Sequence, residues 1–230
     1  NYQKQMPMQQ LSEAWFLARR GKLTASRVGE IMPGKRGAYL KARDDLLSEL
    51  VNQRLGVREE PTGMHFAQKA MDWGTKWEPV ARQAYELKTG DLCEELGLID
   101  HPTLEGMAAS PDGKLILENK LIEIKCPFSD KQDALIDLLI DEVPVTEPIW
   151  LERIDSGYQW QMLCQMACTG AEEMDFVQYD SRVEEAFKCI VIPFPRDEER
   201  IDQMLEEASK FLNEVTTKVT KRRSISGRIY

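Results

Sequence analysis

The chain has 230 residues, enough for one good-sized domain, and 42% of them are hydrophobic, enough for a real core. No apolar run approaches the length of a membrane span or has the form of a signal-peptide core, so no membrane partner is expected. The formal net charge of −9 disfavours a non-specific nucleic-acid binder unless basic residues gather on one surface, for which Arg19-Arg20-Lys22, Lys35-Arg36 and the tail from Lys218 to Arg228 are candidates.

Residues 1–10 are rich in Gln and Met and read as a flexible arm. Ser12 is placed to cap a helix ending at Gly21, with Trp15 and Leu17 partly buried. Thr24 caps a second helix through Met32, and residues 33–37 form a glycine-flanked basic loop. Residues 38–55 carry Leu46, Leu47, Leu50, Val51 and Leu55 at helical spacing, and Gly56 stops that helix. After a loop at 57–65, residues 66–89 read as helix interrupted at Gly74 and again near Pro79. Pro79 suits the first turn of the second piece, which puts Glu78 at a helix N-terminus. A carboxylate is favoured there by the helix dipole whatever else it does.

Residues 92–99 and 106–110 read as strands, followed by two apolar runs within 110–126. A short amphipathic helix spans 131–140, a loop with Pro144 and Pro148 spans 141–157, and a helix spans 158–169, closed by Gly170. Residues 174–179 and 187–194 read as strands, and 196–219 as a long acidic helix before the basic tail. The order predicts an α/β fold: one mixed β-sheet with helices on its faces. No repeat or low-complexity linker divides it, so residues 1–230 read as one domain with flexible ends at 1–10 and 220–230. The five cysteines are odd in number and scattered; Cys164 and Cys168 lie four apart and read as a core stripe. With only His65 and His101 beside them, a zinc site or a Ser-His-Asp triad has little material, and a reducing, cytoplasmic compartment is expected.

The chain is organised around residues 110–126. Ser110-Pro111-Asp112-Gly113 is turn chemistry. In the second run Ile122, Ile124 and Cys126 fall on one side of an extended chain, and Leu121, Glu123 and Lys125 on the other. Glu123 and Lys125 therefore sit roughly 7 Å apart on one face. Asp112, at the end of a neighbouring strand, could meet Glu123 across the pair. Two carboxylates and a lysine at one point suit a hard divalent cation with an amine beside it, a combination able to hydrolyse phosphodiesters. Taken alone the pattern is weak. Glu118-Asn119-Lys120 and Glu86-Leu87-Lys88 share its form, and a hairpin with a solvated Glu123–Lys125 pair accounts for it more simply.

Several pieces occur together: Trp15…Arg19-Arg20-Gly21…Thr24-Ala25-Ser26, Trp73-Gly74…Trp77-Glu78, Ser110-Pro111-Asp112-Gly113, Glu123-Ile124-Lys125-Cys126-Pro127 and Tyr158…Gln161. In this order they resemble the lambda exonuclease family of phage recombination nucleases, the viral recombinase branch of the PD-(D/E)xK, restriction-endonuclease-like fold. The resemblance spans residues 15–194 and implies an Mg²⁺-dependent, processive 5′→3′ exonuclease on double-stranded DNA. It implies two Mg²⁺ per site, with Mn²⁺ a possible substitute. Asp112, Glu123 and the main-chain carbonyl of Ile124 would hold one ion, and Glu78 with Asp112 the second. Lys125 would orient or deprotonate the attacking water. Arg19, Ser26, Ser110 and Gln161 match positions that form a 5′-phosphate pocket, and arginine offers phosphate a fixed fork of donors. Met71 falls where the family places an apolar wedge, Arg36 falls in a loop that can touch the downstream duplex, and Tyr158 matches in type. The implied partners are duplex DNA ends, two further copies in a homotrimeric ring, and a single-strand annealing protein, in the cytoplasm of a bacterium or a phage-infected host. A structure-selective endonuclease on the same core, and a non-catalytic DNA-end or protein-binding module, remain as alternatives.

Overall fold

The computed structural model describes residues 9–34, 37–57, 65–128 and 130–226. The chain begins with α1 (Glu13–Arg19), β1 (Leu23–Thr24), the single turn α2 (Ala25–Val28) and a 3₁₀ turn at Gly29–Ile31. Next come α3 (Lys41–Arg54) and α4 (His65–Thr89), then five strands: β2 (Cys93–Glu94), β3 (Ile99–Asp100), β4 (Met107–Ala109), β5 (Gly113–Leu115) and β6 (Lys120–Lys125). After them follow α5 (Asp133–Ile140), α6 (Ile149–Glu152), α7 (Ser156–Thr169), β7 (Glu173–Tyr179), β8 (Cys189–Pro195) and α8 (Glu198–Ser226).

The larger sheet runs β2-β5-β6-β7-β8, with β6 and β7 parallel and the other pairs antiparallel. A smaller sheet runs β1-β4-β3. The expected mixed sheet flanked by helices is therefore present, with the strands divided between two sheets. β6 lies in the middle of the larger one. Its alternation sends Ile122 and Ile124 to a cluster with Ala81 and Tyr85 of α4, while Leu121 joins the larger core with α7 and α8. Both faces are thus covered by helices, and all four residues from Leu121 to Ile124 are buried.

Several local expectations hold. The Ser12 hydroxyl accepts from the Trp15 N–H at 3.2 Å, and Gly170 closes α7 in the left-handed region at φ 71°. Cys164 and Cys168 are buried in the core, and all five cysteines are free. Among the described residues no helix is long and apolar enough to cross a membrane.

Other expectations are corrected. The helix at 66–89 is not interrupted: α4 runs unbroken through Gly74 and Pro79. Glu78 is consequently in mid-helix, with no helix N-terminus to favour its charge. Proline removes one intrahelical bond and crowds the preceding turn, a cost that α4 offsets by burying Ala81 and Tyr85 against the sheet. The expected strand at 92–99 is two short strands in different sheets, β2 and β3. The first apolar run leaves the sheet after Leu115, so Leu117 is 95% exposed. Trp15 is buried as expected, but Leu17 is exposed. The second helix stops at Val28 and passes into the 3₁₀ turn.

The basic tail, read as a flexible end from residue 220, continues as helix to Ser226. There Arg222 bonds the Asn52 side chain and Arg223 the Arg54 carbonyl. The loop expected at 141–157 contains α6, and its Trp150 is 1% exposed. The Trp150 indole N–H donates to the Val143 carbonyl at 3.2 Å, so the segment folds around one aromatic anchor. Trp150→Ala should therefore lower stability by about 3–5 kcal/mol in urea unfolding, and a loss below about 1 kcal/mol would mean that the segment is not packed as described.

Candidate active site

The site begins with a register. Gly113 pairs with Ile122 across β5 and β6, which sets Asp112 opposite Glu123. Asp112 accepts the Ile124 N–H on Oδ2 at 2.7 Å, and its carbonyl accepts from Arg82 at 2.7 Å. Glu123 is wholly buried. Its Oε1 lies 2.5 Å from Lys125 Nζ and accepts Gln161 Nε2 at 2.6 Å, while Oε2 accepts Gln165 Nε2 at 2.6 Å. A solvated Glu123–Lys125 hairpin pair is excluded by this burial. Lys125 also donates to Gln161 Oε1 at 3.3 Å and stands 4.6 Å over the Tyr158 ring. Tyr158 in turn stacks on Phe176 at 6.1 Å.

Glu78 reaches the same place from α4. It pairs with Arg82 at 3.0 Å, and Arg82 also pairs with Glu95. Burial pushes the Asp112 carboxyl well above its ordinary range, and the charges of Glu123 and Glu78 add to that. Burial likewise raises Glu78; Arg82 opposes the shift and Glu123 reinforces it. Burial alone would lower the Lys125 ammonium, but Glu123 and Asp112 outweigh it and hold Lys125 above its usual value.

A second group of candidates surrounds Arg19. Its guanidinium carbon sits 4.1 Å over the Trp15 ring, and Nη2 faces Ser26 Oγ at 3.3 Å and Thr24 Oγ1 at 3.4 Å. Among the described residues it forms no ion pair. Burial and the nearby Arg27 charge lower it to about 10. A guanidinium so placed is stabilised by an anion. The Trp15 indole N–H donates to Ser110 Oγ at 3.0 Å, which ties Ser110 to the same wall. Ser26 was expected in the first turn of a longer helix; α2 is one turn only, so the anion's attraction rests on Arg19 and the hydroxyls.

Both groups open into one cavity of about 820 Å³. Arg19, Ser26, Ser110 and Gln161 line it together with Glu78, Asp112, Glu123, Ile124 and Lys125. Met71 and Tyr158 line it too; Met71 is 64% exposed, so it is no core methionine. Gln161 does not stand beside Arg19 alone. Its amide is already engaged by Glu123 and Lys125, so it joins the two halves of the cavity. Arg36 lies outside the described residues.

Sequence reasoning missed Gln165, Arg82 and the linking role of Trp15. A signal for Gln165 existed: Gln161 and Gln165 are four apart on a helix, hence on one face, amid otherwise apolar or small neighbours. Nothing local marks Arg82, whose partners lie on α4 itself, in the segment between β2 and β3, and before β5.

Among the described residues no group of three His, Cys, Asp or Glu side chains is set around a common point as a ready metal centre. The donor chemistry nevertheless fits a hard divalent cation. Asp112 and Glu123 are carboxylates facing each other across a register pair, Glu78 is a third on the same cavity, and their mutual repulsion is relieved by positive charge.

Residues 14–172 match the model of the YqaJ-like viral recombinase domain. The fold is similar to an alkaline exonuclease, LHK-Exo, from Laribacter hongkongensis, with 35% identity, a TM-score of 0.78, and coverage of 95% of this chain and 100% of that one. A structure of LHK-Exo in complex with dAMP matches at 35% identity and a TM-score of 0.77, again over 95% and 100% of the two chains. A phage-related exonuclease from Haemophilus somnus 129PT shares the fold at 16% identity and a TM-score of 0.59, over 87% of this chain and 96% of that one. No curated protein sequence matches the chain. The chain belongs to the YqaJ-like viral recombinase family, which is lambda exonuclease-like, and its fold is of the PD-(D/E)xK type.

Proposed function

We propose that the chain is a divalent-cation-dependent 5′→3′ exonuclease acting on double-stranded DNA ends. It would release 5′-mononucleotides and leave a 3′ single strand. One observation carries the reading: the Asp112–Glu123–Lys125 cluster and the Arg19 guanidinium, which has no ion pair among the described residues, open into a single cavity. A hydrolytic centre and an anion pocket so joined suit cleavage counted from a terminal phosphate.

Asp112, Glu123 and the main-chain carbonyl of Ile124 would hold Mg²⁺, with Glu78 and Asp112 at a second ion, and such ions supply an activated water and a stabilised leaving oxygen. The chain's own residues do the rest. Arg19 binds the terminal phosphate, with Ser26 and Ser110 adding hydroxyl bonds. Trp15 holds Arg19 from beneath by stacking and fixes Ser110 through its indole N–H. Gln161 lines the cavity beside the phosphate pocket and bonds Glu123 and Lys125, so an arriving phosphate would draw on the same amide. Lys125 takes a proton from the attacking water on Nζ. Met71, exposed on the cavity wall, would press on the terminal base pair. The same reading extends to a homotrimeric ring, processive on its duplex, and to a cytoplasmic annealing protein that receives the single strand. A ring reconciles the net charge of −9 with DNA binding, because basic groups then face an enclosed channel.

Digestion of a linear duplex labelled at each strand end, run beside a closed circle, tests the reading directly. Mononucleotides should appear from 5′-phosphorylated ends in Mg²⁺ or Mn²⁺, disappear in EDTA, and the circle should stay intact. Cutting of the circle would move the assignment to an endonuclease; no cleavage in any metal would move it to a binding module. Arg19→Ala should reduce the preference for phosphorylated over unphosphorylated ends by about 10- to 100-fold, the worth of a charge-assisted bond, and unchanged preference would remove the pocket. Lys125→Ala should lower kcat by about 10²- to 10⁴-fold while duplex binding is retained. The raised Lys125 also has a pH signature. Glu123 and Asp112 hold that proton in the metal-free protein and would be neutralised by the cations, so a Lys125 base should show as kcat/KM climbing with pH as the proton leaves, and a flat profile would argue against it.

A further inference from the structure

Gln165 does not line the 820 Å³ cavity, yet it touches the buried Glu123 carboxylate. It is wholly buried on α7, one helical turn beyond Gln161. Its Nε2 donates to Glu123 Oε2 at 2.6 Å. The amide's orientation follows from this contact, since the opposite flip would set two oxygen acceptors at that distance. The consequence is an orphan: among the described residues Gln165 Oε1 is buried without a hydrogen-bond partner. Packing alone does not call for such a residue. Its neighbours Met162, Leu163 and Met166 are apolar, and an apolar side chain would leave no carbonyl stranded.

The two amides on Glu123 are not equivalent. Gln161 divides itself between Glu123 and Lys125 and faces the cavity, where an arriving phosphate can compete for it. Gln165 is walled off from the cavity, and its bond is the one that the described residues make to Oε2. It therefore keeps the carboxylate plane constant while the groups on Oε1 rearrange. Carboxylates that bind metals are commonly held in this way by a neighbour that never meets the ion.

We infer that Gln165 is a positioning residue, holding the buried Glu123 carboxylate through Oε2 in the orientation that receives a divalent cation. The inference rests on the reading of Glu123 as a cation ligand. It adds a residue that neither the phosphate pocket nor the carboxylate cluster includes.

Calorimetric titration with Mn²⁺, without DNA, on the wild type, Gln165→Met and Glu123→Gln separates the two. Gln165→Met should bind Mn²⁺ about 10- to 100-fold more weakly than wild type, with its exonuclease rate recovering as Mg²⁺ is raised. Mn²⁺ affinity within twofold of wild type, or a rate loss that no Mg²⁺ concentration restores, would overturn the positioning role. Equal Mn²⁺ binding by wild type and Glu123→Gln would instead overturn Glu123 as a ligand. Should Gln165→Met not fold, the unaltered protein still decides the matter. On Mg²⁺ addition the nitrogen-15 side-chain amide signals of Gln165 should shift, while those of Gln132, buried against the Phe187 and Lys188 carbonyls, stay in place. An unmoved Gln165 signal would sink the inference.

Discussion

The structure depends on one expense: a glutamate carboxylate placed wholly inside a protein sheet. An isolated charge there would cost many kcal/mol and would neutralise itself instead. Glu123 is kept as an ion-pair partner by Lys125 on the same strand face and by two amides from α7. Asp112 is held less generously, by the Ile124 N–H, and its carboxyl is pushed well above its normal range by burial and by its acidic neighbours. The cluster is therefore short of positive charge. That shortage is a stability cost, and it is also what makes the site receptive to cations.

The same demand explains the arrangement of the layers. β6 is central, so both its faces are dry, and each polar group on it must find a partner from a covering helix. α7 supplies Gln161 and Gln165 on one side. α4 supplies Glu78 and Arg82 on the other, and Arg82 reaches Glu78, Glu95 and the Asp112 carbonyl at once. An unbroken α4 serves this well. A break at Pro79 would separate Glu78 from the helical turn that carries Arg82. At the far end of β6 the pattern recurs with other groups, where Lys120 and the Tyr85 hydroxyl converge on buried Asp175 at 2.8 Å each. Cys126, next to Lys125, is kept a thiol, since burial, Glu78 and Asp112 push it up to about 12.

Charge is distributed against the overall balance. The chain is acidic as a whole, yet Arg19 stands without a carboxylate partner among the described residues, in a wall of hydroxyls and indole. Across several ångströms of low-dielectric protein a local cation matters more than net charge spread over a solvated exterior. The carboxylates and the guanidinium share one cavity without neutralising each other. Gln161, a neutral group bonded on the carboxylate side, stands between them.

The sequence by itself determined the strand with Glu123 and Lys125 on one face, the turn that brings Asp112 opposite, and the set of motifs from Arg19 to Gln161. Those features are local: period-two alternation, turn residues and helical spacing act within a few residues of each other. The caps at Ser12 and Gly170 were legible for the same reason. Only the tertiary structure decided that the Glu123–Lys125 pair is buried rather than solvated, because burial depends on which helices cover β6. It alone carried α4 through Pro79, since contacts with the sheet outweigh a missing helical bond. It also split residues 92–99 between two sheets, folded α6 around Trp150, extended α8 to Ser226 and set Gln165 against Glu123. Each of these outcomes rests on a partner distant in the chain, and a partner at such a distance leaves no mark on the residues beside it.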